Sequence, residues 1–151
     1  MEAFWLTLQE SAYGGFIRNS VFFYPTANIL HVLSVISFFG LVATMDLALL
    51  GAGQTPARQV IARLRPFAVA LLALIAASGS VLFVAEAVAI AANPVFQLKV
   101  VLILLALANV VGNELVLRKW GEAAGLARLT AGVSLAAWLG VAALGRLIAY
   151  V

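Results

Sequence analysis

From Pro25 to Gly51 the chain reads PTANILHVLSVISFFGLVATMDLALLG, an apolar run whose only ionisable side chains are His31 and Asp46. A helix of about 20 such residues crosses the hydrocarbon core of a bilayer. An ionisable group inside that core is costly unless it meets a partner or a wet cavity. The stretch therefore predicts a membrane-crossing helix and, with it, companion helices that hide a histidine near one end and an aspartate near the other. His31 is the only histidine in the chain. Asn28, His31 and Ser34 recur at a spacing of three, which puts them on one predicted helical face.

The companions are readable. GAGQTPAR, residues 51–58, has the chemistry of a loop. A second apolar segment approaches from Arg58, enters at Pro66 and continues to about Ala92. Ala73 with Ala77, and Ala76 with Ser80, form small-xxx-small pairs that suit close helix contact. Asn93-Pro94 breaks the run, with Asn93 a predicted N-cap and Pro94 in the first turn. The predicted spans are about 25–50, 66–92, 94–119 and 126–150 of one transmembrane domain. The expected fold is all-α: an integral-membrane, four-helix, up-down bundle. Phe4, Trp5, Leu8, Ala12 and Phe16 fall roughly on one face. They predict a short interfacial helix over about 1–14, ended or bent at Gly14 and Gly15.

Composition agrees. The 151 residues are 65% hydrophobic and 10% charged, against about a quarter charged in soluble domains. The net charge of +3 sits mostly in short connections, so it speaks of membrane orientation and not of a nucleic-acid partner. The absence of cysteine excludes disulfides, thiol catalysis and thiolate metal sites. Arg58, Arg63 and Arg65 in the first connection, with Arg118, Lys119 and Arg128 in the third, outweigh Arg18 and Lys99 on the other side. The charge bias predicts a cytoplasmic first and third loop and both termini outside, which is the periplasm in a Gram-negative bacterium. Arg146 on the outer side counts mildly against that orientation.

With alternating spans, His31, Glu86, Lys99 and Arg146 each lie roughly 8–9 Å inside a helix end, all on the outer side. One polar residue per helix at one depth predicts a shared site, to which Asn28, Tyr24 and Ser34 could add. The competing expectation is that Lys99 and Arg146 snorkel to the interface and Glu86 pairs with one of them. A face meeting a partner subunit is the third alternative. On the inner side, Asp46 and Arg65 are expected to form a structural ion pair across the short loop. Lys99, Leu102, Ala106, Asn109 and Asn113 form a core-facing stripe, with Asn109 as interhelical glue. His31 alone could ligate b-type haem, copper or another metal, contact a quinone, relay protons, or bond a neighbour. Met1 and Met45 are the only methionines, which gives copper little support. No nucleophile–base pair and no glycine-rich phosphate loop is visible.

YPTANILHVLSVISFFGLVATMDLALLG, ARLRPF, SGSVLFVAEA and NPVFQLKVVLILLALAN together resemble a family of small bacterial inner-membrane proteins described as a domain of unknown function. The similarity covers about residues 16–115. It implies a four-helix bacterial inner-membrane protein and no particular activity. Members of that family carry a histidine after the third-segment asparagine, where this chain has Asn113 and Glu114, so a two-histidine site is not implied here. A more distant likeness to copper-resistance D-type proteins and cytochrome b-like bundles rests on helix count and the outer-side histidine. The expected function is non-enzymatic: binding of a small ligand or ion in the outer polar pocket, alone, as a homo-oligomer, or as an accessory subunit. The alternatives are a redox subunit using His31 and a purely structural subunit of a larger membrane complex.

Overall fold

The computed structural model describes residues 2–120 and 125–150. The third connection, 121–124, where the charge pattern places a cytoplasmic loop, lies outside the described residues. The described chain is all-helical: α1 (Glu2–Gln9), α2 (Ala12–Asn19), α3 (Phe23–Leu49), α4 (Ala57–Ala85), α5 (Ala87–Ala92), α6 (Pro94–Trp120) and α7 (Gly125–Leu147), closed by a 3₁₀ turn at Ile148–Tyr150. α3, α4, α6 and α7 are each long and apolar enough to cross a membrane. Only 17–28% of their central windows is buried inside the chain. The rest, with Leu33, Ile36, Leu104 and Leu139 among its exposed residues, needs an apolar surrounding.

Local chemistry sets the helix ends. Asn93 Oδ1 accepts from the backbone N–H groups of Val95 at 2.8 Å and Phe96 at 3.3 Å, which caps α6. α3 stops where Gly51 (φ 92°) and Gly53 (φ 125°) turn left-handed.

α3 packs along α4, α6 along α7, and α3 against α7 joins the two pairs. α4 and α6 meet chiefly through side chains: Arg65 with Glu114, Arg58 with the Leu117 carbonyl at 2.7 Å, and Phe83 stacked on Phe96. The inward stripes are Ala27, Ser34, Phe38, Val42, Asp46 and Leu49 on α3, and Ala127, Ala131, Ser134, Trp138 and Val141 on α7. They build two apolar layers. Phe38, Val42, Ala68, Ala106, Trp138 and Val141 form one, in which the Phe38 and Trp138 rings meet edge-on at 4.7 Å. Leu49, Ile61, Val116, Leu117, Ala127 and Ala131 belong to the other. The expected small-residue pairs do not make the α4 contact. Ala73, Ala76, Ala77 and Ser80 are exposed, while Ala68, Ser78 and Ala85 face in, because the inward stripe of α4 runs on the other side of the helix.

The N-terminal segment also differs from the single interfacial helix expected. It breaks at Glu10–Ser11 into two helices, and Gly14 and Gly15 lie inside the second. Ser11 caps α2 by accepting from the Gly14 N–H at 3.1 Å. A Cβ at Gly14 would stand 2.2 Å from the Gln9 carbonyl oxygen, so this turn requires glycine. The pair of helices covers a break in the second span at Glu86 (φ −135°, ψ 39°), which separates α4 from α5. There Gln9 Oε1 accepts from the freed Val88 N–H at 3.1 Å, and Arg18 reaches the Ala85 carbonyl at 3.5 Å. Trp5 packs edge-on against Phe83 at 5.4 Å, and Ile17 is fully buried.

Candidate functional site

His31 comes from the inward face of α3 and is half-buried against α4. The Ser78 hydroxyl has one proton, which it donates to the Leu74 carbonyl at 2.7 Å. Ser78 Oγ therefore accepts from His31 Nδ1–H at 3.0 Å. That bond makes Nδ1 a donor and leaves Nε2 uncommitted. Gly79 makes the room: a Cβ there would stand 3.1 Å from His31 Cε1. Spacing alone does not single out Ser78 and Gly79; their one signal in the sequence is SGS inside an apolar helix.

Lys99 is the second member. It projects from α6 with its Nζ only 3.1 Å from where a Cβ of Gly145 on α7 would lie. Its charge is within electrostatic range of the imidazole. No carboxylate among the described residues pairs with it. Lys99 Nζ thus stands against α7 within electrostatic range of His31 on α3, and Ser34 is buried one turn further along α3.

The remaining residues of the expected outer set stand apart. Asn28 is exposed. Three residues advance a helix by about 300°, so each step of three falls about 60° short of a full turn. The buried stripe instead starts from Ala27. Glu86 is exposed at the α4–α5 break, within electrostatic range of Tyr24. Arg146 is exposed and turns to its own helix end, with its guanidinium 2.8 Å from the Tyr150 hydroxyl and stacked over that ring at 5.0 Å.

The other end of the bundle holds a second polar layer. Asp46 is buried, with Ser134 within hydrogen-bonding reach. The expected Asp46–Arg65 ion pair is replaced: Arg65 pairs with Glu114 of α6, which also takes Arg118 at 2.7 Å. Glu114 lies across the α4–α6 seam on the side to which Arg65 extends, so the interhelical partner displaces the hairpin one. Asn109 Nδ2 donates to the Thr130 carbonyl at 2.9 Å and ties α6 to α7. The Thr130 hydroxyl stands 2.9 Å from Asn113 Oδ1 and 3.0 Å from the Ala127 carbonyl. A cavity of about 120 Å³ opens beside Asp46, lined from α3, α4, α6 and α7 and including Arg65, Asn109, Asn113 and Glu114.

Among the described residues no group of three or more His, Cys, Asp or Glu side chains could hold a metal ion. His31 offers a single nitrogen to a metal or haem. Comparison with protein-family models, curated proteins and solved structures finds no match to this chain.

Proposed function

We propose that the chain crosses a bacterial inner membrane four times, up and down, with both termini periplasmic. We further propose that it works as a non-enzymatic binding protein whose site lies between α3, α4 and α6 at the His31 end. The observation that carries this is the Lys99 ammonium. It is half-buried, pressed against Gly145, within electrostatic range of the His31 imidazole, and no carboxylate among the described residues pairs with it. A half-buried cation without an anion is costly in an apolar surrounding, and a bound acceptor relieves that cost. The ligand class that fits is a small carboxylate or carbonyl compound whose oxygen accepts from the Lys99 ammonium, with His31 as its neighbour. Glu86 and Arg146 stand at the rim, where they bear on entry rather than on contact.

The test is NMR of His31 in nanodiscs during titration with acetate and benzoate. The expected result is a saturable shift of the imidazole resonances that disappears in Lys99→Met. No saturable shift, or an undiminished one in Lys99→Met, refutes the site. Topology is checked by reporter fusions at Gln54 and after Val151, which should read cytoplasmic and periplasmic. A second reading, a redox subunit in which His31 meets b-type haem or a quinone, is supported by the uncommitted Nε2. A Soret band in the purified protein that is lost in His31→Ala would favour it.

A further inference from the structure

At the end of the bundle opposite His31, side chains bridge a gap that the backbones of α4 and α6 leave open. Two cavities lie in that gap. The inner one, of about 120 Å³, is lined by buried Phe38 and Trp138 at one side and by exposed Val69 and Val110 at the other. It is therefore a cleft open sideways to the apolar surroundings. The outer one, of about 340 Å³, lies toward the helix ends, between Arg58, Arg65 and Arg118. Ile61, Arg65, Glu114 and Leu117 line both, so the cleft and its mouth are continuous.

The two parts differ in chemistry. At the mouth, Glu114 takes both Arg65 and Arg118. Two guanidinium groups on one carboxylate leave a positive excess, and their other N–H groups meet no acceptor among the described residues. Arg58, which donates to the Leu117 carbonyl at 2.7 Å, lines the same mouth. Planar guanidinium forks suit phosphate oxygens. Inside, the polar side chains are engaged or covered: Asn109 and Asn113 are turned to Thr130, and Asp46 and Ser134 are buried. The surface the cleft offers is that of Val69, Leu72, Leu107 and Val110. Leu72 lies about 10 Å deeper than Arg65 along α4. A cavity of about 150 Å³ accommodates benzene, so the cleft takes roughly five carbons of a chain. A cationic mouth over an apolar slot matches an anionic headgroup joined to a hydrocarbon tail, and basic pockets between spans bind such headgroups. On the reading that α3, α4, α6 and α7 cross a membrane, we propose that this seam seats one anionic phospholipid. Its phosphate accepts from Arg65 and Arg118, and part of one acyl chain lies in the cleft toward Trp138.

The experiment uses the full chain with Trp5→Phe and Trp120→Phe, which leaves Trp138 as the sole tryptophan. Trp138 is buried and lines the cleft, so an occupant of the cleft lies nearer to it than the surrounding lipid does. The protein is placed in phosphatidylcholine nanodiscs with rising fractions of phosphatidylglycerol or phosphatidylcholine brominated in the acyl chains, and quenching of Trp138 is followed. Brominated phosphatidylglycerol should quench saturably and about fivefold more effectively, the preference that one excess positive charge confers. Arg118→Gln, which keeps the Arg65–Glu114 pair, should bring the two lipids level. Val69→Phe, which blocks the cleft from its open edge with every charge intact, should abolish the preference as well. Arg118 and Val69 are both exposed, so neither substitution disturbs the packed interior. Equal quenching by the two lipids in the parent chain, or an undiminished preference in either variant, overturns the lipid site and leaves the membrane spans standing. No quenching by either lipid, even with all three tryptophans present, overturns the spans and the site together.

Discussion

Gly79→Ala tests how closely His31 is held. In an open helix interior, glycine to alanine stabilises by about 0.5–1 kcal/mol. Gly132 on α7 is such a position, with no atom within 4 Å of an added Cβ. At Gly79 the added Cβ would stand 3.1 Å from His31 Cε1 and 3.5 Å from Nδ1, so the ring must move by a few tenths of an ångström. Pushing the ring from its rotamer costs about 0.5–1.5 kcal/mol. Weakening its bond to Ser78 costs up to about 0.5–1.5 kcal/mol more. Set against the helical gain, the net effect is a destabilisation of about 1 kcal/mol, within a range of roughly 0–2.5 kcal/mol. Reversible unfolding in mixed micelles, followed by circular dichroism, measures it for Gly79→Ala, Gly132→Ala, His31→Ala and the Gly79/His31 double variant. Without the imidazole, Gly79→Ala should become stabilising, as Gly132→Ala is. If Gly79→Ala stabilises with His31 present, or the cycle is additive within about 0.5 kcal/mol, the ring does not pack against Gly79 as described.

Three further outcomes follow from the polar contacts. Glu114→Gln should destabilise by about 1 kcal/mol, because it strands two partly exposed guanidinium groups, and the loss should shrink in high salt; an unfolding titration at two ionic strengths checks it. Asn109→Leu removes the bond to the Thr130 carbonyl and should cost about 0.5–1 kcal/mol in the same assay, with α6 and α7 still paired by their apolar stripes. Gln9→Ala leaves the Val88 N–H without its acceptor, so hydrogen exchange at Val88 should rise while amides in the middle of α4 stay protected.

The reach of the sequence differs from helix to helix. Asn93-Pro94 announced the start of α6 because a side-chain cap and a proline act locally, and no neighbour is needed to read them. The inward stripe of α6, Lys99 through Asn113, was legible for a similar reason: alternating steps of three and four follow the helical period. Asn28 shows the limit of spacing alone, since a uniform step of three drifts off the face that Ala27, His31 and Ser34 occupy. The break at Glu86 carries no glycine or proline. It is stabilised by Gln9 and Arg18, far away in the sequence, and was therefore invisible. Arg65 had two acidic candidates. The nearer in sequence, Asp46, is turned toward Ser134, and the choice of Glu114 depends on how α4 and α6 face each other. The cavity beside Asp46 is a property of that same seam, and no single helix encodes it.

The cover over the Glu86 break has a consequence for synthesis. Gln9 and Val88 are separated by 79 positions along the chain. At about 5–20 residues per second, the ribosome exposes Val88 roughly 4–16 s after Gln9. Throughout that interval Ile17 and Trp5 have no α4–α5 surface to rest on. Until the second span arrives, α1 and α2 lack the surface that buries them. Any delay in translating the stretch between them lengthens the time during which α1 and α2 stand open to proteolysis.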